Sequence, residues 1–137
     1  MAQEDKQLLL VDLSARLPYG VICQIYDHQQ DYGEDIFDAR LIHIDTWTSH
    51  CYFWGCSETD PYKIEQVKPY LRPMSSMTEE ERKEYNEYLF HGASIGLMSN
   101  TETAYELIDW LNAHHFDYRG LIEMGLALEA PKGMYII

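Results

Sequence analysis

Asp109, His114, His115, Asp117, Tyr118 and Arg119 fall within fourteen residues that also hold Trp110, Leu111, Phe116, Leu121 and Ile122. This is the one stretch dense enough to build a site. Two imidazoles beside carboxylates could move a proton, and an Arg beside aromatic rings can stack on a ring while gripping a carboxylate. Each polar residue also has a structural reading. His114 and His115 end a helix, where the dipole favours protonated imidazoles, and Asp117 is placed to cap the next turn. Arg119 is expected to tie the C-terminal segment to Asp109 or Asp117; alternatively Tyr118 and Arg119, residue types enriched at binding hot spots, face a partner. No catalytic residue is assigned. The candidate binding residues are His115, Asp117, Tyr118 and Arg119.

A second pattern, Gly92-Ala93-Ser94-Ile95-Gly96, has the G-x-S-x-G form of a nucleophile elbow, and Asp109 with His114 or His115 follows in the hydrolase order. An elbow requires a strand before the Ser and a helix after it. Here a helical pattern precedes Ser94 and alternating βα units are lacking, so an interhelical Gly-Ser turn is the simpler reading. A small hydrolase-like enzyme using Ser94 or the His114–Arg119 cluster is the alternative. His28, His43, His50, Cys51 and Cys56 are residue types that zinc accepts, but the two Cys are five apart and His50 and Cys51 would point to opposite faces of a strand. No G-x-G-x-x-G, Walker A, H-E-x-x-H or EF-hand pattern occurs, and neither a metal nor a cofactor is expected.

The blocks Ala15–Val21 (ARLPYGV), Lys68–Glu80 (KPYLRPMSSMTEE) and Asp109–Pro131 together resemble a recurrent family of small uncharacterised proteins from gut bacteria and their phages. The similarity runs through most of the chain and is weakest over 24–60 and 90–103. It implies one compact domain from a bacterial genome or a mobile element. The family has no activity, cofactor or site residue to carry over.

The chain has 137 residues, 46% of them apolar, with eleven Tyr and three Trp, and a net charge of -13. Such a length can bury roughly two-thirds of the surface its unfolded form exposes. The charge is uneven: from 27 to 60 stand eight acids (Asp27, Asp31, Glu34, Asp35, Asp38, Asp45, Glu58 and Asp60) and one base, Arg40. Acidic surfaces repel phosphate backbones and anionic lipid, so direct nucleic-acid and membrane partners are not expected. A solubilising face is the plain reading; a basic protein partner, or mimicry of nucleic acid by the 27–60 stretch, is the functional one. The polar start and the short apolar run Leu8–Val11 give neither a signal peptide nor a span, which with three unclustered Cys points to the cytoplasm.

Leu9, Leu10, Leu13 and Leu17 recur at helical steps with Asp12 and Arg16 on the opposite side, and Pro18 stops the helix. Alternation in Val21–Tyr26, then around Ile42 and Ile44, then in Cys51–Trp54 predicts three short strands, with Asp27–Asp35 as an acidic turn. Lys63–Leu71 adds a strand or a helical turn. Thr78 with Glu81 forms a capping box opening a helix that stops near Gly92. A further helix runs from about Ser99–Thr101 to His114, burying Ala104, Leu107, Ile108 and Leu111, and Asp117 caps a last short one ending at Gly125. The expected fold is α+β in a single domain, 1–137. A short helix and a small antiparallel sheet of three to four strands, able to curl toward an SH3-like barrel, occupy 1–73, and two to three helices occupy 74–137. A non-catalytic interaction or regulatory module fits this pattern best.

Overall fold

The structure, a computed structural model, describes residues 1–29, 33–56, 61–94 and 101–135, with side chains at 1–27, 35–56, 61–90 and 104–135. Helix α1 (Gln3–Arg16) passes through a 3-10 turn at Leu17–Tyr19, where Pro18 cannot extend the helical bonding, and Gly20 reverses the chain at φ +71°. Strands β1 (Ile22–Gln29), β2 (Gly33–Asp45), β3 (His50–Phe53), β4 (Tyr62–Lys63), β5 (Val67–Leu71) and β6 (Leu128–Glu129) form a sheet in the order β4-β3-β2-β1-β5-β6. Helices α2 (Glu79–Ser94) and α3 (Thr101–Ala113) lie between β5 and β6 in sequence.

The α+β class and the N-terminal helix are as expected. The sheet is larger: six strands, mixed because β6 runs parallel to β5, and open, with β4 and β6 at its two edges rather than closed as an SH3-like barrel. The acidic stretch read as a turn is mostly strand, since β1 and β2 pair from Ile22↔Arg40 out to Gln29↔Gly33. Lys63–Leu71 holds both predicted elements, a 3-10 turn at Ile64–Gln66 and then β5. Asp117 caps a run of turns at 121–125 instead of a third helix.

A register shift between Leu41 and His43 changes which side chains are buried. Ile42 and Ile44 would share a face of a regular strand; the bulge instead puts Leu41 and Ile44 in the core and leaves Ile42 exposed. One apolar cluster joins Leu9, Leu10 and Leu13 of α1 to Val21, Cys23, Ile25, Leu41, Cys51, Phe53, Val67 and Leu71 of the sheet region, with Leu121, Leu126 and Ala127 closing it. A second cluster centres on Trp110, Leu111 and Phe116, with Tyr85, Tyr88, Met74 and Met77 against it. The inward stripe of α3 is thus half-buried Leu107 with buried Trp110 and Leu111, while Ala104 and Ile108 are exposed. Helix α2 runs two residues past Gly92.

Candidate functional site

Asp12 and Arg16, one turn apart on α1, are the most deeply placed polar residues of the fold: both side chains are 0% exposed. They do not lie on a solvated face, because the C-terminal block covers that side of the helix. Arg16 Nε donates to Asp12 Oδ2 at 2.8 Å and Nη2 to Oδ1 at 3.2 Å, and Nη2 also reaches the Phe116 carbonyl at 2.7 Å. Placing an Arg and an Asp in an apolar interior is tolerated only when charge and hydrogen bonds are matched in this way. Nη1 of Arg16 is buried with no protein partner.

Arg119 joins the same carboxylate. Its Nε lies 3.2 Å from Asp12 Oδ1, although the N–H is not aimed well enough for a hydrogen bond. The expected structural tie therefore exists, but it runs to Asp12 of α1 and not to Asp109 or Asp117. Tyr118 sits by both guanidinium groups, with Arg16 and Arg119 5.2 and 5.1 Å from its ring centre, and its hydroxyl donates to Asn112 Oδ1 at 2.9 Å. Asp117 spends both oxygens on backbone: Oδ1 accepts from the Leu121 N–H and Oδ2 from the Ile122 N–H.

The end of α3 is a Schellman motif with His in the left-handed position. His115 has φ +62°, its N–H donates to the Asn112 carbonyl, and the Phe116 N–H donates to the Leu111 carbonyl. The His115 ring is buried and stacks on Tyr135 with centroids 3.6 Å apart, its Nδ1 without a protein partner. Burial, reinforced by Arg16, Arg72 and His114, pushes this imidazole down to about 4, so His115 is neutral at pH 7. That overturns the reading of His115 as an imidazolium favoured by the helix dipole. His114 keeps a local role, its Nδ1 2.9 Å from the Trp110 carbonyl.

Arg72 is a member of the site that sequence reasoning missed. Its guanidinium holds both oxygens of Glu81 at 2.7 Å, reaches the His114 carbonyl at 3.1 Å and lies 4.2 Å from the Phe116 ring centre. Glu81 in turn closes the predicted capping box, accepting from the Thr78 N–H while its own N–H donates to Thr78 Oγ1. The Arg72 fork holds the Glu81 carboxyl down at about 2. The signal was the capping box itself, whose Glu had a second use.

Arg16, Arg72, Tyr118 and Arg119 are thus tied to one another and to the Phe116 segment by internal contacts. Gly92, Ala93 and Ser94 are the last residues of α2, so a helix precedes the Ser; its side chain and residues 95–96 of the G-x-S-x-G pattern lie outside the described residues. Cys51 is buried and its thiol is pushed up to about 12 by that burial; burial also raises Cys23 well above its ordinary value. His43 packs against Tyr52. Among the described residues no three His, Cys, Asp or Glu side chains are grouped to hold a metal ion, and no helix is long and apolar enough to cross a membrane. His28, Asp31, Glu34, Glu58 and Asp60 lie outside the described side chains.

The described acids of the 27–60 stretch divide between both faces of the sheet. Asp27 and Asp35 are paired across β1 and β2 on the side of Cys23 and Ile25; Asp38 lies on the other side, accepting from the Tyr70 hydroxyl. Asp45 caps the following turn through the Trp47 and Thr48 N–H groups. Compared with models of known protein families, with curated proteins and with solved structures, the chain matches none.

Proposed function

We propose that this chain is a non-catalytic protein-interaction or regulatory module, of bacterial or mobile-element origin on the resemblance given above, and that it meets its partner through the α2–α3 half. One observation carries the reading: the densest polar cluster is spent on internal contacts, whereas large apolar side chains of α2 and α3 stay in solvent. Leu89, Phe90, Tyr105 and Ile108 are all exposed, Phe90 at 75%. Apolar side chains exposed together and rimmed by charged residues mark protein contact surfaces.

A photo-crosslinking side chain placed at position 105, and separately at 47, tests it in lysate of a gut bacterium. Trp47 is 95% exposed but lies in the β2–β3 turn, so it serves as a control for exposure alone. Discrete protein adducts from 105 and none from 47 are expected. Adducts from 47 alone, or none from either across a range of salt, would overturn the reading.

A further inference from the structure

We propose that the trough between α2 and α3 receives a basic, arginine-bearing segment of a partner protein. This rests on the reading above and names the chemistry of the partner. Two hollows share Glu84: one of about 670 Å³ lined by Glu84, Glu87, Tyr88, Phe90 and Glu106, and one of about 500 Å³ that includes Glu80, Glu84 and His114. Glu80, Glu84 and Glu87 stand at i, i+4 and i+7, along one flank of α2, and Glu106 of α3 borders the same space. From Glu80 to Phe90 the helix rises about 15 Å, the length of a short extended or helical segment.

Buried Trp110 anchors Glu84, the residue that the two hollows share. Its indole N–H donates to Glu84 Oε2 at 2.7 Å, and its ring packs against Tyr85 and Tyr88. Among the described residues the ion pairs engage Asp12, Glu65 and Glu81, and none engages Glu80, Glu87 or Glu106. The bases of α2, Arg82 and Lys83, border a different hollow with Met77 and Glu79. Among the described residues these acids do not group to hold a metal ion. Spaced carboxylates with aromatic rings between them fit spaced guanidinium groups, which can pair with the acids and lie on the Tyr88 and Phe90 faces. The net charge of -13 draws such a segment in and turns away nucleic acid.

The probe is a fluorescein-labelled dodecapeptide of Ala and Leu with Arg at three positions spaced i, i+4, i+7, followed by anisotropy at 50 mM and 300 mM salt. Saturable binding that weakens at the higher salt is expected. The double variant Glu87→Gln, Glu106→Gln should weaken it about tenfold at low salt, as two lost charge contacts would. The variant Glu4→Gln, Asp5→Asn removes the same charge from α1 and should leave affinity within about twofold, the scale of long-range screening. Equal weakening by both variants, with circular dichroism unchanged, overturns the site. If the peptide does not bind while position 105 still crosslinks to protein, the partner is not basic and this inference falls while the interaction reading stands. Loss of both removes both.

Discussion

Asp12 and Arg119 meet, but their contact is not the one that holds the region together. Arg16 makes two aligned bonds to Asp12 and one to the Phe116 carbonyl with its side chain fully buried, whereas Arg119 is 30% exposed and poorly aimed. Removing one member of a buried pair strands the other, so Arg16→Ala should cost about 3–5 kcal/mol, and Arg119→Ala about 1 kcal/mol, in urea unfolding. Equal costs would show that the Asp12 carboxylate is held by both cations alike. His115 supplies a separate test. The unfolded chain takes up its imidazole proton near 6.5, the folded chain only at about 4, so stability present at neutral pH drains away as pH falls through that window. Glu81 acts lower: its stabilisation is full above its ordinary 4.5 and is lost as pH falls toward about 2. His115→Asn keeps a residue suited to φ +62° and removes the titration. Its melting temperature should change less than wild type between pH 6.5 and 4.5, then fall as wild type does; parallel curves throughout would contradict the assignment.

At the scale of elements, ends were more legible than faces. Thr78 and Glu81 stand at the spacing of a capping box, and both reciprocal bonds form. Thr78→Ala should lower stability by about 1 kcal/mol, the usual worth of a cap, read as a fall in thermal midpoint; an unchanged midpoint would mean that Arg72 alone holds Glu81. Pro18 and Gly20 likewise mark where α1 gives way. Faces failed because burial is decided by what arrives from elsewhere in the chain. Asp12 and Arg16 look solvated on a helical projection of α1, yet Phe116 and Tyr118, about a hundred residues on, cover them. Ile42 and Ile44 share a face by alternation until the bulge, with Ile42 as its extra residue, parts them. The candidate cluster at 114–119 was found for its density, and its internal partners could not be, since Asp12, Arg16, Arg72 and Tyr135 are all distant in sequence.

Across the whole molecule, two apolar clusters meet at Phe116. Its ring belongs to the helical cluster and lies under Arg72, its carbonyl takes the Arg16 bond from α1, and the Arg72 backbone pairs on either side of it through the His115 carbonyl and the Asp117 N–H. Tyr135 adds a clasp from the end of the chain: its hydroxyl donates to the Tyr70 carbonyl at 2.8 Å and accepts from the Ile22 N–H at 2.9 Å, spanning β5 and β1 beyond the point where Pro69 can offer no N–H. Opening either cluster would strand buried charge belonging to the other, so the two should unfold together. The chain carries its own reporters. Trp47 and Trp54 are 95% and 66% exposed, whereas Trp110 is 8% exposed, so the fluorescence change on unfolding comes chiefly from the helical cluster. Cys23 and Cys51 are buried in the sheet cluster and become reactive only when it opens. Urea transitions followed by tryptophan emission and by brief thiol labelling should share one midpoint in the wild-type protein. Arg16→Ala should move both midpoints by the same amount; a fluorescence transition that precedes thiol exposure would show that the helices leave the sheet first and that the contacts at Phe116 do not couple them.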